Sequence, residues 1–501
     1  MNKISLLQLG ETDWEEAFSL PENVVCDCWE EFTVPSDRPY DITAWDRSPL
    51  KTELEALYES IKPYTLFVVE DVSLSKEAQE LFQAKKGKVL KRDNIQAFLS
   101  EDIQFFFPNS YGEKFRHLNL TPVHSFIGKV VWNGNHSLVL EGDFGDQFQQ
   151  TAYWRNRIPI MAGQSIDLWL EYEKTPSIEV ELVVSFFDAG TVSQINEQVR
   201  FSEKELQNIV RVTSKSKMQY MFYSVLAKGK GELKIIALHD RYSRREYGCF
   251  LAGGERYVTA NKEEFFCYFN PMDRKPPLTV YFSGYKTQQG FEGQGLLTKM
   301  GTPFLLVADQ RLEGGAFYMG SDEYESLLLE TIRKYMNELG FTPDEVILSG
   351  ISMGSTGAAY YGCDLKPHAL LLGKPLMSCG DIAANEQLLR PGGFSTSLDV
   401  LKFVAGDLSQ PSIETLNEKM WNRFENVNWS NTKIIASYMI EDDYDFTAYN
   451  KLISKIQTQG IELYGRGLHG RHNDNSGGIV SWFVSQLKKI LREDFGRKVK
   501  D

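Results

Sequence analysis

The most constraining feature of the sequence is a Gly-x-Ser-x-Gly segment that runs from Gly350 to Gly354. It lies between a short apolar run at residues 346–348 and a series of small residues that continues to Tyr360. Glycine on both sides of a serine permits a strained strand-to-helix turn that lifts the hydroxyl clear of the sheet. The segment predicts that Ser352 is a nucleophile. A buried serine in a glycine-lined turn is the alternative.

Length and composition indicate several domains and exclude some classes of partner. A chain of 501 residues is too long for one core, and its apolar content of 42% can fill several. The formal net charge is −14, and the sequence has no basic stripe with interleaved aromatic residues, so we expect no nucleic-acid partner. Residues 1–12 show no basic segment followed by a continuous apolar run, and no apolar run of membrane length occurs in the sequence, so we expect a cytoplasmic protein.

The six cysteines do not form a metal-binding pattern. Only Cys26 and Cys28 are close together, and their Cys-x-Cys spacing is too short for the usual zinc site. We therefore expect reduced thiols and no metal site.

The periodicity of the apolar residues divides the chain into three regions. Residues 1–110 mix helical and strand patterns, which predicts a small α/β region. Residues 111–260 change to a period of two with frequent turn signals, which predicts a β-sandwich. Residues 261–501 alternate strands with helices, which predicts a doubly wound, mostly parallel sheet of the α/β-hydrolase type. The expected fold class is thus α/β and β multidomain.

Two features of these regions bear on function. The predicted sandwich contains Trp132, Trp154 and Trp169, and each ring is either part of the core or a platform for a sugar. Residues 374–431 are longer than an ordinary crossover. Long connections in compact domains are commonly functional, so we predict that this segment is an insertion that caps the site.

A base must take the proton of a serine nucleophile, and a carboxylate must orient that base. In α/β-hydrolases the chain order is serine, acid, histidine. Both His469 and His472 follow the last predicted strand. We favour His472 as the base because it lies nearer the closing helix, and His469 is the alternative.

The acid is expected in the loop after the strand that ends near Tyr438, where several carboxylates occur. These residues are Glu441, Asp442, Asp443 and Asp445. Asp442 lies at a suitable distance beyond the strand, and we expect the other three to cap the helix that follows.

Backbone N–H groups are expected to stabilise the negative charge that forms on an attacked carbonyl. One donor is the N–H of Met353, which directly follows the serine. The second should come from the loop after the strand at residues 278–282, at Gly284 or Tyr285.

The chain resembles the accessory Sec secretion-system proteins that O-acetylate serine-rich-repeat adhesins in Gram-positive bacteria. The resemblance rests on the order of the three regions and on two segments, Ser-Gly-Ile-Ser-Met-Gly-Ser at residues 349–355 and Gly-Arg-His-Asn-Asp at residues 470–474. It implies that Ser352, Asp442 and His472 form a triad. It also implies that the protein acetylates N-acetylglucosamine on a glycosylated adhesin before export.

The same resemblance implies that other accessory Sec proteins are partners and that the protein associates with the cytoplasmic face of the membrane through their complex. We expect no tightly bound cofactor. Acetyl-coenzyme A is a candidate acetyl donor, although no nucleotide-binding motif supports it. The residues alone predict a serine acyl-transfer enzyme. A carboxylesterase or peptidase with the same triad and a non-catalytic export scaffold stay open as alternatives.

Overall fold

A computed structural model describes residues 3–32, 40–188, 190, 194–215, 217–459, 461 and 463–499. The strands of these parts of the chain form four sheets, and the second and third sheets draw their strands from the same middle region. The predicted boundary at residue 110 falls between the first sheet and the second. The predicted boundary at residue 260 is too late, because the strand before it pairs within the last sheet.

The N-terminal sheet is parallel, with strand order β2-β1-β3-β4-β5. Its strands are β1 (Ile4–Leu9), β2 (Val24–Trp29), β3 (Ile42–Trp45), β4 (Leu66–Val69) and β5 (Lys88–Leu90). Its helices are α1 (Trp14–Ala17), α2 (Leu54–Ser60), α3 (Lys76–Ala84) and α4 (Ile95–Ala97). Parallel neighbours need crossover connections, which the intervening helices and loops provide.

The next region consists of two antiparallel sheets that share one core. One has the order β14-β13-β16-β10-β7, with β11 on β16, and the other has the order β15-β12-β17-β9-β8, with β6 on β17. The strands are β6 (Gly112–Arg116), β7 (Leu120–Pro122), β8 (Gly128–Asn133), β9 (Ser137–Asp143), β10 (Gln149–Trp154), β11 (Ile158–Ile160), β12 (Ser165–Lys174), β13 (Glu179–Asp188), β14 (Glu197–Phe201), β15 (Val210–Thr213), β16 (Gln219–Lys228) and β17 (Lys230–Tyr242). Alternation along each strand directs one set of apolar side chains into the core.

The three tryptophans of this sandwich differ in their environment. Trp154 and Trp169 are buried, whereas 47% of Trp132 is exposed on the edge strand β8. Trp154 also donates its ring N–H to the carbonyl of Arg116 at 3.2 Å. Trp154 and Trp169 are therefore core residues, and of these three only Trp132 presents its ring to solvent.

The last sheet has the order β18-β19-β21-β20-β22-β23-β24-β25 and is parallel from β21 to β25. Its strands are β18 (Gly254–Val258), β19 (Glu264–Asn270), β20 (Leu278–Phe282), β21 (Phe304–Asp309), β22 (Val346–Ile351), β23 (Ala369–Gly373), β24 (Lys433–Met439) and β25 (Leu463–Leu468). The helices are α5 (Gln294–Met300), α6 (Asp322–Leu339), α7 (Met353–Leu365), α8 (Cys379–Leu388), α9 (Thr396–Ala405), α10 (Gln410–Glu425), α11 (Ala448–Ile456) and α12 (Ser476–Glu493). None of the helices in the described ranges is long and apolar enough to cross a membrane.

The insertion at residues 374–431 contains α8, α9 and α10. Apolar side chains from these helices, such as Ile382, Leu401 and Trp421, belong to the same core as α7. The insertion is therefore packed into the last domain.

Buried polar groups join the sandwich to the last sheet. Arg241 of β17 donates to Glu264 of β19 at 3.2 Å and to the side-chain oxygen of Gln289 at 2.7 Å. Gln289 in turn donates to His239 at 2.7 Å. Although burial opposes ionisation, Arg241 and Arg256 lower the pKa of Glu264 to about 2. A paired charge thus anchors the loop after β20 to the sandwich.

The core of the sandwich also contains an aspartate that has no ionic partner in the described ranges. Asp240 of β17 is fully buried, and it accepts a hydrogen bond from the hydroxyl of Tyr223. Its second oxygen has no hydrogen-bond partner among the described residues. Burial raises the pKa of Asp240 from its ordinary value of 3.8 to about 7, and nearby Glu113 adds to the effect.

We predict that this group makes stability depend on pH. The pKa of Asp240 is higher in the folded than in the unfolded state. Its contribution to the free energy of unfolding is therefore fully present below about pH 4 and is lost as the pH rises to about 7. A tenfold change in proton affinity is worth about 1.4 kcal/mol, so the loss is on the order of 4 kcal/mol.

Urea-unfolding midpoints of the wild type and Asp240→Asn, measured from pH 4 to 7, should converge or cross as the pH rises. Asp146→Asn, at an exposed site of the same domain, should show no such trend. A constant difference between the wild type and Asp240→Asn would contradict the prediction.

Candidate active site

Ser352 lies at the junction of β22 and α7 with a φ of 56° and a ψ of −124°. A non-glycine residue adopts such a conformation only when its surroundings enforce it. A Cβ atom on Gly350 would lie 2.3 Å from the backbone of Gly354, and one on Gly354 would lie 2.0 Å from the carbonyl oxygen of Phe282. Both glycines are therefore required for the turn that exposes the serine hydroxyl.

A relay of hydrogen bonds connects Ser352 to two residues that are distant in sequence. Its Oγ is 2.8 Å from Nε2 of His472, and Nδ1 of His472 is 2.8 Å from Oδ2 of Asp442. Strands β22, β24 and β25 are parallel neighbours or near neighbours, so their carboxyl ends, and the loops that follow, meet at one edge of the sheet. The fold thus brings together the serine, acid and base that the sequence predicts.

The acid is held in its ionised form. Burial raises the pKa of Asp442, but the hydrogen bond with His472 and the N–H groups of Tyr444 and Asp445 outweigh this effect and leave the pKa below its usual value. A carboxylate at Nδ1 favours the imidazole tautomer that carries its proton on that nitrogen. Nε2 is then free to accept the proton of the Ser352 hydroxyl.

The other acids of this loop do not cap the following helix as predicted. Asp443 accepts the backbone N–H of His472 at 2.9 Å, and Asp445 accepts those of Met377 and Ser378 at 2.8 and 2.7 Å. The physical reason is that unpaired loop N–H groups of the site need acceptors. These carboxylates hold the histidine loop and the start of the insertion in place.

Glu441 pairs with the alternative base. Nδ1 of His469 is 2.9 Å from the carboxylate of Glu441, and both side chains are exposed. Glu441 also accepts the N–H of Gly470 at 2.6 Å. His469 is therefore engaged with Glu441 on the surface, and His472 is the histidine beside Ser352.

Two further residues that the sequence analysis did not identify fix the orientation of His472. The ring of Tyr444 stacks on the imidazole with a centroid distance of 4.4 Å. Nζ of Lys374 donates to the carbonyl of His472 at 2.6 Å and to Ser476 at 2.9 Å. Tyr444 adjoins the run of acids in the sequence, but nothing in the sequence pattern distinguishes Lys374.

The predicted oxyanion donors have different environments. The backbone N–H groups of Met353 and Tyr285 have no acceptor within the described part of the chain. The N–H of Gly284 donates to the carboxylate of Glu292 at 2.8 Å, so this group is already occupied. Met353 and Tyr285 are therefore the donors that remain open, and the proposed role of Gly284 is corrected.

Beyond the contacts of Lys374, Met377 and Ser378, the insertion contributes Phe394 and Thr396 to the surroundings of the site. Phe394 stacks on Tyr444 with centroids 5.4 Å apart and contacts Tyr285 edge-on at 5.1 Å. Thr396 lies 3.5 Å from the hydroxyl of Tyr285 and donates to Glu313 at 2.7 Å. Residues of the insertion therefore form one wall of the site. The described residues contain no group of three or more histidine, cysteine or acidic side chains placed to hold a metal.

Comparison with known proteins identifies the family. The family model described as the Accessory Sec system GspB-transporter matches residues 4–497. The accessory Sec system protein of Staphylococcus aureus (strain NCTC 8325 / PS 47) is 36% identical over 512 residues, which cover 99% of this chain and 98% of that protein. The corresponding protein of Streptococcus gordonii is 35% identical over 513 residues, which cover 99% of both.

A solved structure agrees with these relatives over the whole chain. A chain of the Glycosylation Associate Protein (Gap123) complex from Streptococcus agalactiae is 34% identical, has a TM-score of 0.88, and matches over 99% of each chain. The protein therefore belongs to the Accessory Sec system GspB-transporter family.

Proposed function

We propose that this protein is a serine-dependent O-acetyltransferase that modifies N-acetylglucosamine on glycosylated serine-rich-repeat adhesins, and that it is also a component of the accessory Sec export complex. The observation that carries the enzymatic part is the relay from Ser352 through His472 to Asp442 at a strained turn. The last domain then serves as an α/β-hydrolase-like catalytic domain. Family membership supports the role in export.

The first half of the reaction forms an acyl-enzyme. Nε2 of His472 takes the proton of Ser352 while Oγ attacks the acetyl carbonyl, and Asp442 compensates the charge on the imidazolium. The N–H groups of Met353 and Tyr285 stabilise the oxyanion. The bond between the acetyl carbon and the donor then breaks, and His472 returns the proton to the leaving group.

The second half transfers the acetyl group to the sugar. A sugar hydroxyl gives its proton to His472 and attacks the acetyl carbon, and the bond to Oγ of Ser352 breaks as the serine regains a proton. Transfer competes with hydrolysis, so limited access of water favours the acetyltransferase. Phe394, Tyr285 and Tyr444 supply an apolar wall beside the site that supports this requirement.

The proposed adhesin substrate, partners and location rest on the resemblance to the family and not on the geometry. The relative from Streptococcus agalactiae is part of the Gap123 complex, which supports assembly of this protein with other accessory Sec proteins. The proposal places that assembly at the cytoplasmic face of the membrane. Acetyl-coenzyme A is the proposed acetyl donor.

Acetyl transfer can be tested with a small activated acetyl ester, offered with and without N-acetylglucosamine acceptors. We expect acetylated sugar, detected by mass spectrometry, and faster turnover of the ester when the acceptor is present. Acetate release that no sugar acceptor affects would favour a carboxylesterase instead. Cleavage of amide bonds in peptides would favour a peptidase.

We predict that the three residues of the relay act as one unit. Ser352→Ala or His472→Ala should remove about 10⁴-fold or more of the activity, and Asp442→Ala should cost roughly one to two orders of magnitude less. Removal of Asp442 costs less activity because this residue orients His472 and compensates the charge on the imidazolium without bonding to the acetyl group. Initial rates with the activated ester measure each effect, and the double variant Ser352→Ala/His472→Ala should be no slower than either single variant.

His469→Ala is the matched control, since it removes an exposed histidine three residues from His472 that pairs with Glu441. It should leave the rate close to that of the wild type. A loss of activity in His469→Ala with an active His472→Ala would reverse the assignment of the base.

A second, structural role is favoured by the size of the protein. The N-terminal sheet and the sandwich extend from Ile4 to Tyr242, and neither contributes a residue to the relay. These domains offer surfaces that acyl transfer does not use, and a non-catalytic scaffold of the export complex would need such surfaces.

We predict that catalysis and export can be separated. Ser352→Ala removes one oxygen and should leave the partner surfaces unchanged, so acetylation should be abolished while most export of the adhesin continues. Mass spectrometry of the adhesin and its amount outside the cell measure the two outcomes. Complete loss of export in a folded Ser352→Ala protein would contradict separate roles.

A further inference from the structure

A second concave site lies on the β-sandwich, beside the edge strand β8. It has a volume of about 580 Å³, and the residues that line it include Trp132, Asn119, Thr121, Arg155 and Asn156. We propose that this site binds sugar residues of the acceptor glycan and holds them near Ser352. The identity of the ligand rests on the proposed function, whereas the existence of the site does not.

The residues around the cavity have the chemistry that sugars need. Trp132, a residue that is 47% exposed, offers a flat apolar ring to the C–H face of a sugar. Asn119 and Asn156 carry amides, and Arg155 carries a guanidinium, which can bind hydroxyl and N-acetyl oxygens. Within the described parts of the chain no acidic side chain lines the cavity, so Arg155 is the one charged group there that a bound sugar meets. Its volume lies within the range of ordinary small-ligand sites.

The site is held in shape before any ligand binds. The ring of Trp132 packs against His117, which is fully buried, with a centroid distance of 5.8 Å. Nε2 of His117 is 3.1 Å from the carbonyl of Gly134. On the other side, Nε of Arg155 donates to Thr121 at 2.7 Å. A preorganised ring and guanidinium reduce the entropy lost on binding.

A short series of contacts connects this site to Ser352. The turn after β8 contacts the insertion, because Asn135 donates to Ser395 at 2.8 Å and Lys402 donates to Asn133 at 2.9 Å. Ser395 adjoins Phe394 in the chain.

Phe394 stacks on Tyr444, and Tyr444 stacks on His472. A glycosylated chain bound at Trp132 would thus lie on the side of the sandwich that faces the insertion at the active site. Binding there would raise the local concentration of acceptor sugars around the acyl-enzyme.

An extended strand from a partner protein is the competing occupant. Strand β8 is an edge strand with exposed Val130 and Val131, and such edges can accept an added strand. An added strand would bond to the backbone of β8 and would not require Arg155 or Asn156. We favour the glycan because the cavity joins the tryptophan to these polar side chains.

The test uses the full-length Ser352→Ala protein, so that binding is measured without turnover. The probes are a synthetic serine-rich peptide that carries O-linked N-acetylglucosamine and the same peptide without sugar. Calorimetry should show binding of the glycopeptide only, and Trp132→Ala should weaken it about tenfold. Trp132→Phe keeps an aromatic ring and should retain most of the affinity. Asn156→Ala, at a partly exposed site away from the core, gives a second measurement if Trp132→Ala fails to fold.

In the protein that keeps Ser352, and can therefore turn over the substrate, Trp132→Ala should raise the KM for the glycopeptide about tenfold. It should leave the cleavage rate of the activated ester unchanged, because no atom of Trp132 belongs to the relay. Unchanged glycopeptide binding in Trp132→Ala and Asn156→Ala would overturn the proposal. Loss of assembly with partner proteins without loss of glycopeptide binding would also overturn it, and would assign the surface to a protein.

The site and the proposed function can fail separately. If the wild type binds the glycopeptide through Trp132 but never acetylates it, the site stands and the acetyltransferase assignment fails. If acetylation proceeds with the same KM in Trp132→Ala, the function stands and the site fails.

Discussion

The close approach of α7 to β20 is the constraint on which the rest of the site depends. Gly354 lies so near the carbonyl of Phe282 that a Cβ atom would be 2.0 Å from the oxygen. This contact keeps Ser352 at a positive φ, with its hydroxyl 2.8 Å from His472. Strain of this kind persists only where the surrounding structure enforces it, and here the packing of the central strands does so.

A second layer of contacts fixes the base and the loops around it. The carboxylates of Asp443 and Asp445 accept backbone N–H groups of the histidine loop and of the insertion. Lys374 donates to the carbonyl of His472. Each contact satisfies a buried polar group. The same interactions that stabilise the loops therefore orient the imidazole toward Ser352.

Contacts with the loop after β20 and with the insertion couple the sandwich to the site. Gln289, in the loop that also contains Tyr285, is held between Arg241 and His239 of the sandwich. The turn after β8 meets the insertion at Ser395, next to Phe394. Removal of a partner from a buried ionic network is costly, so these domains are held in a defined arrangement. A surface on the sandwich can thereby keep a constant position relative to Ser352.

The sequence by itself determined the local chemistry: the Gly-x-Ser-x-Gly turn and the order of Ser352, Asp442 and His472. The spacing of its apolar residues also distinguished the region of antiparallel sheets from the region in which strands alternate with helices. These are short-range patterns, and sterics or strand alternation impose them within a few residues.

The tertiary structure decided which polar groups already have a hydrogen-bond partner and which side chains are buried. The N–H of Gly284 is bound by Glu292, the loop acids accept backbone N–H groups, and Trp154 is core while Trp132 is exposed. It also showed that the strand before residue 260 belongs to the last sheet. Those outcomes depend on contacts between segments far apart in the chain, which no local pattern encodes.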